Sequence, residues 1–238
     1  MAAASTFESK TMFSSELIRT KGHRAKRAIA QWIAALAATS AAVVISFQWF
    51  DRPIASFAHA HLARPNHGIF ENLTHFPDPL IPLAVIALVV LGLRALTGKS
   101  LSNYQAAAFV CSLSVISGEE IKDQLKFIFG RTWPESWTQN NPSFIRDGVY
   151  GFNFMHGGGA YQSFPSGHMA ASCAVISVLW ICYPRLRALL AIAGFAVAVG
   201  LVGANYHFLS DVIAGAFVGV SCGWIMTAIW ETRARIRV

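Results

Sequence analysis

The sequence contains few charged residues. Only 13% of its 238 residues are Asp, Glu, Lys or Arg, against ~25% in an ordinary soluble chain. Charge is absent altogether from six stretches, which are 28–50, 79–93, 101–118, 169–183, 188–204 and 212–230. A soluble helical core would need polar faces at helical spacing, and these stretches lack them. The scarcity of charge therefore excludes most classes of soluble protein.

Cysteine is also scarce, and its positions argue against a metal site and against disulfide bonds. All four cysteines lie in the uncharged stretches: Cys111, Cys173, Cys182 and Cys222. None has the spacing of a metal site, and none lies where oxidising chemistry would readily pair it. We interpret them as packing residues.

The uncharged stretches are long enough to cross a membrane. A transmembrane helix needs roughly 20 apolar residues, and each stretch reaches a spanning length by itself or with its polar end residues. We predict an all-α, polytopic membrane protein with six transmembrane helices. The first stretch is too long for a signal-peptide core. Residues 1–27 are thus a predicted cytoplasmic segment, and residues 28–238 a six-helix membrane domain with active-site loops on its outer face.

The basic residues predict the orientation of the spans. With six spans, 13 of the 19 Lys and Arg residues fall on one side: Lys10, Arg19, Lys21, Arg24, Lys26, Arg27, Arg94, Lys99, Arg185, Arg187, Arg233, Arg235 and Arg237. Positive charge stays cytoplasmic, so both termini are predicted to be inside. The net charge of +7 then reflects topology and contact with anionic lipids. Nucleic acid is not an expected partner, because the basic residues are dispersed along the inner face.

Two connections and one helix have further sequence signals. Segments 51–78 and 127–165 are long, outer, and interrupted by Pro or Gly, so we predict loops there. The last stretch has Gly215, Gly219 and Gly223 at every fourth residue. This spacing predicts that another helix approaches closely.

One polar cluster, Pro165-Ser166-Gly167-His168, opens the fourth stretch. Ser166 is a good N-cap candidate, and the first turn of a helix favours an anion. Gly167 lets a phosphate approach the backbone, and His168 can donate a proton to a leaving oxygen. An ordinary capped helix with an interfacial histidine explains this tetrapeptide equally well.

A second polar cluster opens the last stretch. His207 and Asp211 are four residues apart, which places them on one face of a helical turn. A carboxylate that contacts one ring nitrogen leaves the other as a nucleophile or base. Both clusters fall on the outer face in the topology predicted from charge. Together they indicate a site that holds a phosphate and breaks its ester bond.

At these motifs the chain resembles the type 2 phosphatidic acid phosphatase superfamily, which includes bacterial membrane lipid phosphatases and vanadium haloperoxidases. The family pattern is Lys-x6-Arg-Pro, then Pro-Ser-Gly-His, then Ser-Arg-x5-His-x3-Asp. The second part is complete at 165–168, and His207-x3-Asp211 matches the third. In the first part Lys126 and Pro134 match. The two arginine positions hold Trp133 and Leu201 instead.

The resemblance implies roles for these residues and no cofactor. His207 would attack phosphorus to give a phosphohistidine, Asp211 would orient it, and His168 would protonate the leaving alcohol. Lys126, Ser166 and the Gly167 amide would hold the phosphate oxygens. A haloperoxidase is disfavoured, because that activity is expected from a soluble chain.

The missing arginines need a substitute, since such charge clamps are usually a large catalytic contribution. Our hypothesis is that Arg131 binds the phosphate, with Arg146 as the weaker candidate. Asp123 lies three residues before Lys126 and is expected to pair with it. Trp133 and Trp137 are expected at the membrane interface.

We therefore predict a lipid or isoprenoid phosphate phosphatase in a bacterial inner membrane, with its active site facing the periplasm or exterior. Its partners would be the lipid substrate and the bilayer. A phosphotransferase that uses the same histidines is the nearest alternative, and a non-catalytic binder of phosphate lipids is the third. The lipid, the number of its phosphates and the oligomeric state are left open by the sequence.

Overall fold

The computed structural model describes residues 2–136 and 140–236, and these ranges contain nine α-helices. They are α1 Ala2–Ile45, α2 Asp51–Ala58, α3 Arg64–Thr74, α4 Leu80–Leu96, α5 Asn103–Phe129, α6 Phe144–Asp147, α7 Gly167–Cys182, α8 Arg187–Gly203 and α9 Leu209–Ile236. The described ranges hold isolated β-bridges but no β-strand. The predicted all-α class is confirmed.

The chain divides into two compact units, one up to Ala41 and one from Ala42 onward. The first unit consists of most of helix α1. The second contains the remaining helices and all the motifs discussed above. The boundary that we predict between residues 27 and 28 stays a prediction.

Several helices are apolar enough to lie in a membrane. Among the described residues, three helical stretches have the length and composition to cross one: Ala25–Leu62, Pro184–Gly203 and Leu209–Thr232. Leu80–Leu96 and Gly167–Cys182 are apolar but shorter. Helix α5 has 27 residues, with its charged residues gathered near its C-terminus. The count of six spans and the orientation of the termini remain predictions.

The segment 51–78 is not the loop that we predict. Helix α2, a π-helical turn at His59–Ala63 and helix α3 occupy most of it. Pro53 and Pro65 lie near the starts of α2 and α3, each shortly after a π-helical turn, and Pro53 falls inside the continuous helical stretch Ala25–Leu62. Both prolines are therefore accommodated within helical segments instead of breaking them.

The second long connection is largely irregular, as predicted. Helix α5 ends at Gly130, whose φ of 53° is left-handed. A Cβ at Gly130 would collide with the carbonyl oxygen of Asn153, so a glycine is needed there. Beyond it, the described part of the connection contains helix α6 and a 3-10 turn at Gly159–Tyr161 before α7 begins.

Helix α7 packs against both α5 and α9, and glycines of α9 permit the close approach of α9 to α7. An added Cβ at Gly219 would lie 2.8 Å from Cβ of Cys173. The prediction that the glycine repeat accommodates a neighbouring helix is confirmed. Cys173 and Cys222 are buried as packing residues, but Cys182 is exposed at the end of α7, so the packing interpretation is wrong for Cys182.

The two short turns lie at one end of the helix bundle. Tyr104, which follows the α4–α5 turn, stacks on Tyr183 of the α7–α8 turn with ring centroids 6.0 Å apart. The other ends of these helices therefore meet at the opposite end of the bundle. That end collects the C-terminus of α5, the N-terminus of α7 and the connection between α8 and α9.

Candidate active site

A cavity of about 410 Å³ opens at this second end of the bundle. Its wall combines the α3–α4 turn with the start of α4, the C-terminal half of α5, the connection after α5, the N-terminal part of α7 and the α8–α9 connection. The lining residues are Pro77, Asp78, Ile81, Glu119, Lys122, Lys126, Trp133, Gly167, His168, Ala171, Tyr206 and His207. Four of the residues predicted from the sequence are among them, namely Lys126, Gly167, His168 and His207.

The α8–α9 connection folds back to bring His207 into the cavity wall. Asn205 takes a left-handed conformation with φ 61°, and its side chain donates to the carbonyl of Ala55 at 3.0 Å. The amides of Tyr206 and His207 both donate to the carbonyl of Leu201, at 2.9 and 3.2 Å. As a result His207 is only 4% exposed.

Asp211 lies directly behind His207. Its Oδ2 is 3.5 Å from Nδ1 of His207, which leaves Nε2 as the ring nitrogen for the cavity. The same oxygen accepts from the Ser163 hydroxyl at 2.6 Å and from the Phe208 amide at 3.0 Å. Burial lowers the pKa of His207, although Asp211 acts against this shift. The lowered pKa favours the neutral imidazole, which is the form that can attack.

Ser166 begins helix α7 as predicted. Its hydroxyl accepts from the Met169 amide at 3.4 Å, and its own amide donates to the carbonyl of Asp211 at 3.0 Å. The N-cap prediction is confirmed. However, Ser166 is fully buried and does not line the cavity. The structure thus places its hydroxyl on the helix backbone, away from where we predict a phosphate.

His168 stands in the first turn of α7 and faces a carboxylate from another part of the chain. Its Nε2 is 3.3 Å from Oδ1 of Asp78, and both side chains are about half exposed. The other carboxylate oxygen of Asp78, Oδ2, lies 2.7 Å from Nδ1 of His75. Burial and the neighbouring His207 lower the pKa of His168 to about 4, although Asp78 acts against this shift. The carboxylate of Asp78 can support a proton on this imidazole at the mouth of the cavity.

Arg131 is not where the sequence hypothesis needs it. We predict a phosphate ligand, but the side chain is 0% exposed and does not line the cavity. Its guanidinium instead pairs with two buried carboxylates: Nη1 is 2.5 Å from Oδ1 of Asp211, and Nη2 is 2.7 Å from Oδ2 of Asp51. Arg131 therefore lies behind the His207–Asp211 pair.

Aromatic rings and hydroxyls complete the surroundings of Arg131. Its Cζ lies 4.3 Å from the ring centroid of Phe208, and the rings of Phe47, Tyr150 and Phe152 are within 5.3 Å. The Ser210 hydroxyl bridges the same group, accepting from Nη1 at 2.5 Å. Burial lowers the pKa of Arg131, but Asp211 and Asp51 outweigh it and raise that pKa above its ordinary value. The guanidinium stays charged and fixed.

Arg146, the weaker candidate, lies in a different environment. It is exposed and pairs with Asp147 at 2.8 Å, on the short helix α6. It does not line the cavity.

Trp133 occupies the place of a family arginine in the cavity wall. Its ring lies 5.2 Å from the ring of His207, and its indole N–H donates to the carbonyl of Gly159 at 2.8 Å. Nζ of Lys126 lies 6.0 Å from the Trp133 ring. Trp133 is thus part of the site wall, whereas Trp137 lies outside the described residues.

Sequence reasoning missed several residues that the fold adds to the site. Lys122 and Glu119 line the cavity, and Lys122 could have been found as the residue one helical turn before Lys126. Asp51 follows an uncharged stretch directly, which was a usable signal. Asp78 is far from His168 in the sequence, and no local pattern connects them. We expect Asp123 to pair with Lys126, but its Oδ1 lies 3.2 Å from Nζ of Lys122 instead.

Among the described residues, no three His, Cys, Asp or Glu side chains are grouped so as to hold a metal ion. The expectation that the chemistry needs no cofactor stays a prediction.

The chain is similar to one protein family and to two curated proteins that share a name. The sequence model of the PAP2 superfamily matches residues 105–235. A lipid A 1-phosphatase from Rhizobium johnstonii is 31% identical over 84% of this chain and 80% of its own length. Another from Rhizobium etli is 27% identical over 85% of this chain and 86% of its own.

A solved structure shares the fold. The first transmembrane PAP2-type phosphatidylglycerolphosphate phosphatase from Bacillus subtilis superposes with a TM-score of 0.58 at 16% identity. The match covers 84% of this chain and 96% of that one. At this identity the likeness concerns the fold alone.

Proposed function

The chain belongs to the PAP2 superfamily, and from this premise we propose that it is an integral membrane phosphatase that hydrolyses a lipid or isoprenoid phosphate, or diphosphate, ester through a phosphohistidine intermediate. It is an enzyme of the phosphoric ester hydrolase class. The observation that carries the mechanism is the buried His207, with Asp211 at its Nδ1 and its ring in the wall of a cavity that also holds His168 and Lys126.

The first step transfers the phosphoryl group to the enzyme. Nε2 of His207 attacks phosphorus while the bond from phosphorus to the ester oxygen breaks. His168 gives its proton to that oxygen, so that the leaving group departs as a neutral alcohol. Asp211 stabilises the positive charge that develops on the imidazole ring and holds its orientation.

The second step returns the enzyme to its starting state. His168, now neutral, takes a proton from a water molecule, and the water oxygen attacks phosphorus. The N–P bond breaks, inorganic phosphate is released and His207 is again neutral. Each histidine ends the cycle in the protonation state in which it began.

The phosphate oxygens are held by Lys126 and by the first turn of α7. The Gly167 amide is one of the free N–H groups at this helix N-terminus, and Ser166 keeps the turn in place by capping it. Arg131 acts at one remove, through Asp211. We assign to it the support of the nucleophile and not a contact with the substrate.

A lipid substrate follows from the membrane setting. Large apolar side chains are exposed along α4 and α8, among them Leu83, Ile86, Leu189, Ile192 and Phe195, as expected where helices face lipid. The relatives named lipid A 1-phosphatase cover most of this chain. Lipid A phosphate is therefore the first substrate to test.

We further propose six spans, with both termini in the cytoplasm and the cavity facing the outer side of a bacterial inner membrane. In this topology residues 1–27 form the cytoplasmic segment and residues 28–238 the membrane domain. The stacking of Tyr104 on Tyr183 supports it, because the two basic turns then share one end of the bundle, while the cavity lies at the other. Positive charge at the first end is typical of a cytoplasmic face.

The proposal is tested with purified protein in detergent micelles and three labelled lipids: phosphatidate, undecaprenyl diphosphate and lipid A. The label is ³²P in the phosphate. We expect free phosphate from at least one lipid with the wild type and none with His207→Ala. A labelled new lipid in place of free phosphate would instead assign the protein as a phosphotransferase. Binding without turnover by the wild type would reject both enzyme functions.

A further inference from the structure

Helix α5 presents two lysines to the cavity. Lys122 and Lys126 are one helical turn apart and therefore share a face, and both line the cavity wall. Only Lys126 belongs to the motif that carries the family resemblance. Lys122 is 9% exposed, so it is a buried cation that needs an explanation of its own.

The ammonium group of Lys122 lies beside the N-terminus of α7. A Cβ at Gly167 would be 3.5 Å from Nζ of Lys122 and 3.0 Å from its Cδ. The first turn of α7 carries free N–H groups and the positive end of the helix dipole. A lysine next to it therefore adds positive charge to a part of the cavity already suited to an anion.

Two carboxylates hold Lys122 in this position. Nζ lies 2.6 Å from Oε2 of Glu119 and 3.2 Å from Oδ1 of Asp123. An ammonium group has three N–H donors. Two of them are directed to these carboxylates, which leaves the third for a ligand in the cavity. Glu119 itself lines the cavity, and its second oxygen is buried without a hydrogen-bond partner among the described residues.

We infer that Lys122 is a further phosphate-binding residue, which supplies part of the positive charge lost where the family arginines are replaced by Trp133 and Leu201. Glu119 is its counter-ion and positions it when the cavity is empty. The inference rests on the proposed phosphatase function, since it concerns the phosphate of the same site. It also explains why neither Arg131 nor Arg146 is needed in the cavity.

Two substitutions separate this role from a purely structural ion pair. Lys122→Met removes a charged donor, so the affinity for phosphate should fall. Glu119→Gln removes the neighbouring negative charge but keeps Lys122, so the affinity should rise. If the pair only stabilises α5, both substitutions lower the melting temperature and neither changes phosphate affinity in a particular direction.

The experiment measures binding of inorganic phosphate to the full-length protein in micelles by calorimetry, together with turnover of the labelled lipid. A hydrogen bond from a charged group is stronger than one between neutral groups, so we expect Lys122→Met to weaken binding by about 10-fold or more. Lys122→Arg should restore most of the affinity. Glu119→Gln should tighten binding severalfold. Lys99→Met is the matched control, because Lys99 is exposed in the α4–α5 turn, and it should leave binding unchanged.

The inference is overturned if Lys122→Met and Lys122→Arg both bind phosphate like the wild type. It is also overturned if Glu119→Gln and Lys122→Met weaken binding alike. Binding of inorganic phosphate does not depend on turnover, so these outcomes can be told apart from a failure of the proposed function. In that failure the wild type binds phosphate but releases none from any lipid. If Lys122→Met does not fold, the Arg and Gln variants still decide the question.

Discussion

Nη1 of Arg131 lies 2.5 Å from Oδ1 of Asp211, while the other oxygen of the same carboxylate faces His207. The guanidinium, the carboxylate and the imidazole thus form one chain of contacts that ends at the cavity. Asp51 anchors the far side of the guanidinium at 2.7 Å. In this arrangement an arginine from the connection after α5 holds Asp211, the residue that orients the nucleophile in the proposed mechanism.

Replacing Arg131 tests this support. Arg131→Lys keeps the charge but loses the planar fork that reaches both Asp51 and Asp211. We expect kcat to fall by about 10-fold or more, while KM changes little, because the lost contact is with Asp211 and not with substrate. Arg131→Met should lose ~3–5 kcal/mol of stability, since it leaves buried carboxylates unpaired.

The control for this pair is Arg52→Lys. Arg52 is exposed, and its guanidinium lies 5.3 Å from the ring of Tyr150, which Arg131 also contacts. This substitution should change neither kcat nor KM. A rise in KM for Arg131→Lys with kcat unchanged would instead indicate that Arg131 binds the phosphate of the substrate.

Asp78→Asn tests the role of His168 as the acid. The contact between Asp78 and His168 should help to keep a proton on the imidazole. We expect slower turnover of a lipid phosphate, whose alcohol needs protonation, and nearly unchanged turnover of p-nitrophenyl phosphate, whose leaving group does not. The ratio of the two rates is the measurement. An equal loss with both substrates would mean that Asp78 acts on the phosphate site in general.

The protonation of His207 can be followed directly. Burial lowers the pKa of this imidazole from its ordinary value of about 6.5. A lowered pKa means that the neutral, attacking form persists as the pH falls through 6.5 and is lost only in more acidic solution. In ¹⁵N-histidine NMR, with the signal assigned by its absence from His207→Gln, the titration midpoint of His207 should lie below 6.5. A midpoint at or above 6.5 would contradict the buried position.

Packing of α9 on α7 gives a prediction about stability. Alanine is favoured over glycine in a helix by ~1 kcal/mol, yet at Gly219 an added Cβ would lie 2.8 Å from both Cβ of Cys173 and the amide nitrogen of Ala174. Gly219→Ala should therefore lower the melting temperature. Gly118→Ala, whose Cβ would meet only Sγ of Cys222 at 3.9 Å, should leave it unchanged or raise it. Equal melting temperatures would show that the α7–α9 contact relaxes without cost.

The sequence was sufficient to predict much of the site because its key residues lie in short, local patterns. His207 and Asp211 are four residues apart, so a single helical turn determines their proximity. The capping of α7 by Ser166 is equally local. The helical class follows from long uncharged stretches, which exclude soluble alternatives through composition alone.

What could not be predicted depends on contacts between distant segments. Arg131 and Trp133 are two residues apart, and only the folded connection decides that Trp133 faces the cavity while Arg131 points to Asp51 and Asp211. The partnership of Asp78 with His168 likewise depends on how α4 packs. The prolines at 53 and 65 led to the wrong prediction of a loop over segment 51–78, because a sequence does not distinguish a proline near the start of a helix from a proline in a loop.

The most direct test of the account is to trap the intermediate. Wild-type protein in micelles is mixed with ³²P-labelled lipid phosphate, quenched in alkali within milliseconds, and mapped by mass spectrometry. We predict an alkali-stable, acid-labile phosphoryl group on His207, which is absent from His207→Gln and greatly reduced in Asp211→Asn. Phosphate release by His207→Gln at the wild-type rate, or a label mapped to any other residue, would contradict the central claim that His207 is the nucleophile.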